Sequence, residues 1–275
     1  MLGAFVAVVS LSLMASFPQV DSPPQVEAHA EDERVVLVEG PDLRIAQDGR
    51  WVRYEHLQEL ASVETLTYYG ESTDDGGCIY SGEDVVQPTG KVILEEREIA
   101  QDHANCIMVT EIGEPSDERA AELRQEVLDD VSEVGSGDNF APLAEKTAWQ
   151  KTVHRDPLLL EVSGSRVSLR FNYNGSCATR LGYGVTLIRL AATGWVLNSS
   201  TTSRQDLCSE VHVQNHSSFM NAGFCYALIG VHSGTVTTYM NRVRGLPNGY
   251  VGYNWTTSKS GLCSYLLHFH RPMSH

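Results

Sequence analysis

The sequence predicts an α+β protein in three parts: a small acidic α/β domain over residues 31–114, a helix and linker over 115–150, and a C-terminal antiparallel β-sandwich over 151–275. Three observations carry this expectation. Charge is segregated, with 27 Asp or Glu against 8 Lys or Arg in residues 31–135, and 6 against 12 in residues 136–275. An acidic half followed by a basic half suggests two bodies. Near residue 150 the apolar spacing changes from helical to a period of two, in a vocabulary of β-branched, aromatic, Gly, Ser and Asn residues. The chain also holds six cysteines, an even count that suits a disulfide framework in an exported protein.

Residues 1–30 read as a secretory signal peptide. Leu2 to Phe17 are apolar or small and uncharged, and a Pro-rich spacer leads to Ala28-His29-Ala30, a small-residue cleavage pattern. The apolar run is too short for a membrane span, which needs about 20 residues. The expectation is a secreted, extracellular protein with no membrane span once mature. Of the fifteen pairings open to six cysteines, the simplest joins neighbours in sequence: Cys78 with Cys106, Cys177 with Cys208, and Cys225 with Cys263. Each would close a loop of about thirty residues, worth roughly 3.5 kcal/mol in the chain-entropy model.

In the acidic half, Trp51, Tyr54, Leu57, Leu60 and Ala61 fall at helical spacing and predict a short amphipathic helix. Turn signals in "YYGESTDDGGC" precede two predicted strands, "KVILEEREIA" and "CIMVTEIG". After Pro115 comes the strongest helical pattern, with Leu123, Val127, Val131 and Val134 on one face, Asp117 and Glu118 in the first turn and Gly135 as a stop.

In the basic half, "LLLEVSGSRVSLRFNYNGS" predicts a hairpin turning at Ser163-Gly164-Ser165, with Val167, Leu169, Phe171 and Tyr173 on one face. Further predicted strands are "GVTLIRLAA", "GWVLNSS", "EVHVQN", "CYALIGVH", "TVTTYMNRV", "GYVGYNW" and "CSYLLHFH". Many short strands separated by turn signals point to a sandwich or small barrel.

The stretch "CSEVHVQNHSSFMNAGFC" encloses His212 and His216 between Cys208 and Cys225. On a strand His212 shares a face with Glu210 and Gln214, opposite Val211 and Val213. "HFH" likewise groups His268 and His270, opposite Tyr265, Leu267 and Phe269. These pairs, with His232, could assemble a zinc or copper site, although cysteine ligands would have to be reduced, contrary to export. Motifs for a serine or cysteine nucleophile, an EF-hand or an HExxH zinc site are absent. The carboxylates of the β half are Asp138, Glu145, Asp156, Glu161, Asp206 and Glu210, with no evident catalytic pair. Asn174, Asn198, Asn215 and Asn254 each open an Asn-X-Ser/Thr triplet, a glycan acceptor where the host has that machinery. Nucleic acid is a poor partner, because the basic half has no Lys/Arg run and the acidic half repels phosphate.

The blocks "EEREIAQDHANCIMVTEIGEP", "GWVLNSS", "SFMNAGFC" and "NRVRGLPNGYVGYNWTTSKSGLCSYLLHFH", spread over about residues 90–271, resemble those of uncharacterised secreted proteins of Gram-positive bacteria with a C-terminal cysteine-bearing β domain. The resemblance implies a bacterial exported protein in which Cys225 and Cys263 pair within the β domain. It implies no activity and no site residue.

The reading that follows is a non-enzymatic extracellular binding or surface-interaction module, with no cofactor and an unidentified extracellular or cell-envelope partner. Its candidate surface is a polar, aromatic edge carrying His212, His216, His268, His270 and Trp255, with Tyr250 and Trp195, the last a better candidate for the core. Two alternatives stand beside it. One is an exported toxin or bacteriocin-like β domain restrained by an acidic pro-segment; the other is a metal-dependent hydrolase using the histidine pairs.

Overall fold

A computed structural model describes residues 35–37, 43–46, 51–54, 60–87, 92–128 and 144–274. The chain runs through β1 (Val35–Leu37), β2 (Leu43–Ala46), β3 (Trp51–Tyr54), β4 (Ala61–Tyr69), β5 (Glu71–Ser72), β6 (Cys78–Val86), β7 (Ile93–Asp102), β8 (Ile107–Glu114) and helix α1 (Asp117–Leu128). There follow β9 (Ala144–Arg155), β10 (Glu161–Tyr173), β11 (Ala178–Arg189), β12 (Val196–Leu207), β13 (Glu210–Asn221), the short helix α2 (Phe224–Ile229), β14 (Thr235–Gly245), β15 (Val251–Ser260) and β16 (His268–Ser274).

The strands form two antiparallel sheets. The first has the order β1-β2-β3-β7-β16-β9-β10-β11, with β8 and then β4 attached to the other edge of β7; the second has the order β12-β13-β14-β15-β6-β5. Face to face, they bury Val167, Leu169 and Phe171 of β10 against Val211, Val213, Val243, Val251 and Tyr253 of the second sheet. The expected alternation from Val167 to Phe171 is therefore present. Arg166 and Ser168 are buried as well, because the opposite face of β10 is also covered.

The change of charge near residue 135 does not coincide with a change of sheet. β6 pairs with β15, and β16 inserts between β7 and β9, so acidic and basic segments share both sheets. Their opposite charges meet directly. Glu83 pairs with Arg244, Asp84 and Glu96 with Arg271, Glu98 with Lys259, and Glu126 with Lys151 and Arg166. This accounts for the irregular hydrophobicity of "ILEEREIAQD". Its successive acids address two covered faces, Glu95 reaching Arg119 of α1 on one side while Glu96 and Glu98 meet Arg271 and Lys259 on the other.

α1 begins within a turn of Pro115, as its sequence pattern predicts, and packs Ala120, Leu123 and Val127 on Ile93 and Trp149. Val131, Val134 and the Gly135 stop lie outside the described residues, as does the signal peptide. All three disulfides join the sequence neighbours: Cys78–Cys106, Cys177–Cys208 and Cys225–Cys263. The first two link strand ends of one sheet to strand ends of the other.

Four local expectations are corrected. Trp51–Tyr54 is a strand, not part of a helix, and Ala61–Tyr69 is another; pairing of β3 with β7 and of β4 with β8 outweighs a helical spacing supported by few residues. The hairpin does not turn at Ser163-Gly164-Ser165, which lies inside continuous β10. Ser163 and Ser165 bond into the sandwich interior, and a Cβ on Gly164 would stand 2.3 Å from the Thr152 carbonyl, so glycine is there for close strand approach. The turn instead spans Asp156 to Leu160, where Asp156 Oδ1 accepts the Leu158 and Leu160 N–H groups at 2.9 and 3.0 Å. "CYALIGVH" gives α2 rather than a strand, ended by Gly230 at φ 72°. "CSYLLHFH" divides into a 3-10 turn over Ser264–Leu266 and β16.

Candidate functional site

Two polar assemblies compete for attention, one sealed and one open. Inside the sandwich, His154 Nδ1 lies 2.7 Å from the Tyr239 hydroxyl, which lies 2.7 Å from Ser163 Oγ; Ser163 Oγ in turn meets Thr237 at 2.9 Å. Burial, with Lys259 nearby, pushes the His154 imidazole well below its ordinary value, and burial pushes the Tyr239 phenol up. The residues are of catalytic type, but Ser163 is fully buried and His154 1% exposed, so the network serves to satisfy polar groups between the sheets. Thr152, Asn241 and Ser165 form a second buried group, in which Thr152 donates to Asn241 and Asn241 donates to Ser165.

The open assembly lies on the outer face of the second sheet. β13 turns Val211, Val213 and Phe219 inward, so the two-residue period turns His212, Gln214, His216 and Ser218 outward. The register sets His216 between Thr201 and Met240, with Thr256 beyond, and sets Ser218 between Ser199 and Thr238, with Ser258 beyond. Apart from Ser258, the residues of these two cross-strand rows line a depression of about 350 Å³. Its floor is uncharged and rich in hydroxyls, with one thioether and one imidazole. The next rows are ionic. Arg242 Nη2 donates to Glu210 Oε1 at 2.7 Å and to His212 Nδ1 at 3.0 Å, while Arg244 pairs with Glu210 and Glu83. Burial, then the charge of Arg242, holds the His212 imidazole below its ordinary value.

The structure brings only part of the sequence-predicted surface together. His212 and His216 share the outer face of β13, with His216 exposed. Trp255 is fully buried against Tyr80, Met108 and Phe269, and Trp195 is fully buried beside Phe224. His268 and His270 are each 1% exposed, because β16 is a central strand with both faces covered. A single histidine-bearing edge therefore does not form. His232 stacks on Tyr226 instead. Cys208 and Cys225 belong to different disulfides, which removes them as ligands, and among the described residues no three His, Cys, Asp or Glu side chains converge as a metal site. Asn215 is fully buried and donates to Ser200 and Thr202, so it offers no glycan acceptor.

Ser199, Thr201, Ser218, Thr238, Met240 and Thr256 escaped the sequence reading. Alternation along "HVQNHSSFM" and "TVTTYMNRV" puts these residue types on one face. Which strands lie side by side, and in what register, is set by pairing over distance.

His270 carries a pH prediction. Its Nε2 donates to Glu95 Oε1 at 3.2 Å, its Nδ1 faces Glu161 at 3.9 Å, and Arg119 and Arg155 flank the same carboxylates. Burial, then the charge of Arg155, lowers its pKa from 6.5 to about 4. The unfolded chain thus takes up this proton at higher pH than the native one. Stability is complete above pH 6.5 and declines as pH falls toward 4, by on the order of 3 kcal/mol from this group. The expected result is a melting temperature that drops across that window and drops less in His270→Gln; superimposable profiles would refute the assignment.

Set beside known proteins, the chain matches no family model, no curated protein and no solved structure.

Proposed function

We propose that the protein is an exported, non-catalytic binding module that engages an extracellular or cell-envelope partner through the outer face of its second sheet. One observation carries this reading: the ten-stranded sheet has α1 packed on its outer side, whereas the depression on the six-stranded sheet is lined by exposed Ser199, Thr201 and His216 with half-buried Ser218, Thr238 and Thr256. Uncovered polar rows at regular strand spacing can exchange hydrogen bonds with an extended, uncharged, hydroxyl-bearing chain. Three disulfides fit an oxidising compartment, in keeping with the resemblance to exported Gram-positive proteins. Among the described residues no helix is long and apolar enough to cross a membrane.

The toxin reading gains no support from the topology, since releasing residues 151–275 would withdraw β6 and β7 from both sheets. The hydrolase reading gains none from the histidines, which lie on different sheets.

The test is retention on a panel of immobilised peptidoglycan and neutral polysaccharides. Wild-type protein is expected to bind at least one member, and His216→Ala/Thr238→Ala to bind it about tenfold more weakly, the loss of one or two net hydrogen bonds. Failure to bind any member, or equal retention of the variant, would sink the proposal.

A further inference from the structure

β12 is the terminal strand of the second sheet, and among the described residues its outer edge pairs with nothing. All 12 of its residues are exposed. Native edge strands of this length are ordinarily blunted by lysine, proline, short length or a bulge that twists the edge away. β12 holds no lysine and no proline, and its one irregularity, between Leu197 and Ser199, falls near one end. From Asn198 to Ser203 it is uncharged. Its two charges are already engaged, Arg204 by the Tyr183 hydroxyl and Asp206 by Arg180.

The apolar residues sit at the two ends. Val196 is 47% exposed and Leu207 50%, and Met220, opposite Val196 on β13, is 39% exposed. All three face outward. An antiparallel strand pair related by a two-fold axis perpendicular to the sheet must place one residue opposite its own copy, because directly opposed residues share a face. With Thr202 on the axis, Ser203 stands opposite Thr201, Gln205 opposite Ser199, and the irregularity at Leu197 brings Val196 into line with Leu207. Each exposed apolar end then meets the opposite end of the other copy.

We propose that β12 pairs antiparallel with β12 of a second copy about a two-fold axis at Thr202, joining two six-stranded sheets edge to edge. The neutral middle supplies a backbone ladder with no charge repulsion, and the apolar ends lock its register. The two hydroxyl-lined depressions, which include Ser199 and Thr201, become neighbours on one continuous face. This geometry is independent of what that face binds.

Sedimentation velocity on the purified full-length protein tests the arrangement. Wild type is expected to sediment as a dimer that dissociates on dilution. Thr202→Lys places two ammonium groups side by side at the axis, and Thr202→Asp two carboxylates, so each variant alone is expected to be monomeric with an unchanged circular dichroism spectrum. Mixed in equal amounts, they are expected to form a one-to-one dimer, an outcome that a merely misfolded variant cannot give. A wild type that stays monomeric at every concentration overturns the proposal, as does a dimer that persists unchanged in both variants taken singly.

Discussion

Reduction of the three disulfides is expected to unfold this protein at room temperature. Each bridge closes a loop of 28 to 38 residues in sequence, which in the chain-entropy model is worth roughly 3.5 to 4 kcal/mol. Together they supply on the order of 10 kcal/mol, comparable to the whole stability of an ordinary domain. Their placement strengthens the expectation. Cys78–Cys106 and Cys177–Cys208 tie one sheet to the other, and Cys225–Cys263 lies fully buried beside Trp195, Phe219 and Phe224. Trp195 and Trp255 are both fully buried, so the change is readable as a red shift of tryptophan emission on adding reductant under native conditions. Alkylation and intact mass would confirm six released thiols. A reduced protein that keeps its emission maximum and melts within a few degrees of the oxidised form would show that the sandwich does not depend on its bridges.

Lys259→Met is expected to cost about 3–5 kcal/mol, because it leaves a carboxylate in the sandwich interior without its counter-charge. Lys259 Nζ lies 3.2 Å from Glu98 Oε2, with side chains 1% and 0% exposed. Burial raises the Glu98 pKa and lowers that of Lys259, so each group is drawn toward neutrality and the pair persists by mutual attraction. Glu98 also accepts the Phe269 N–H at 2.8 Å, and Lys259 also donates to the Leu267 carbonyl. Glu98→Gln keeps an acceptor for Phe269 while removing the charge. The double variant Glu98→Gln/Lys259→Met is therefore expected to be more stable than Lys259→Met alone, although it carries one more substitution. Urea unfolding of the two single variants and the double variant decides it. Additive losses would mean that the two charges do not act as a pair.

Much of the local structure is legible in the residues. "TVTTYMNRV", "EVHVQN" and "CIMVTEIG" alternate because one face of each strand meets the core, and they are strands in the fold. Leu123 and Val127 mark the packed face of α1 because a helix buries one stripe. "KVILEEREIA" is a strand as predicted, and its acids answer cations 161 and 175 residues away in sequence, at Lys259 and Arg271. The misreadings have definite causes. Ser163-Gly164-Ser165 looks like a turn because its composition suits one, yet the hydroxyls bond to Thr237, Tyr239 and Asn241 across the sandwich. His268, His270 and Trp255 look available because polar and aromatic residues often lie outside. Insertion of β16 between β7 and β9 buries the two histidines, and the strands facing β15 bury the tryptophan.

By itself, the sequence determined the antiparallel β character and the helix after Pro115. These depend on period and capping, which are interactions among residues close along the chain; the neighbour pairing of the cysteines was the simplest of fifteen, and the fold selects it. Only the tertiary structure decided that acidic and basic segments share two sheets, that the histidine pairs are separated, and that hydroxyls from β12, β13, β14 and β15 line one depression. Strand order and register are contacts between distant residues. They are selected by which whole arrangement satisfies the buried charges, and no short stretch of sequence carries that information.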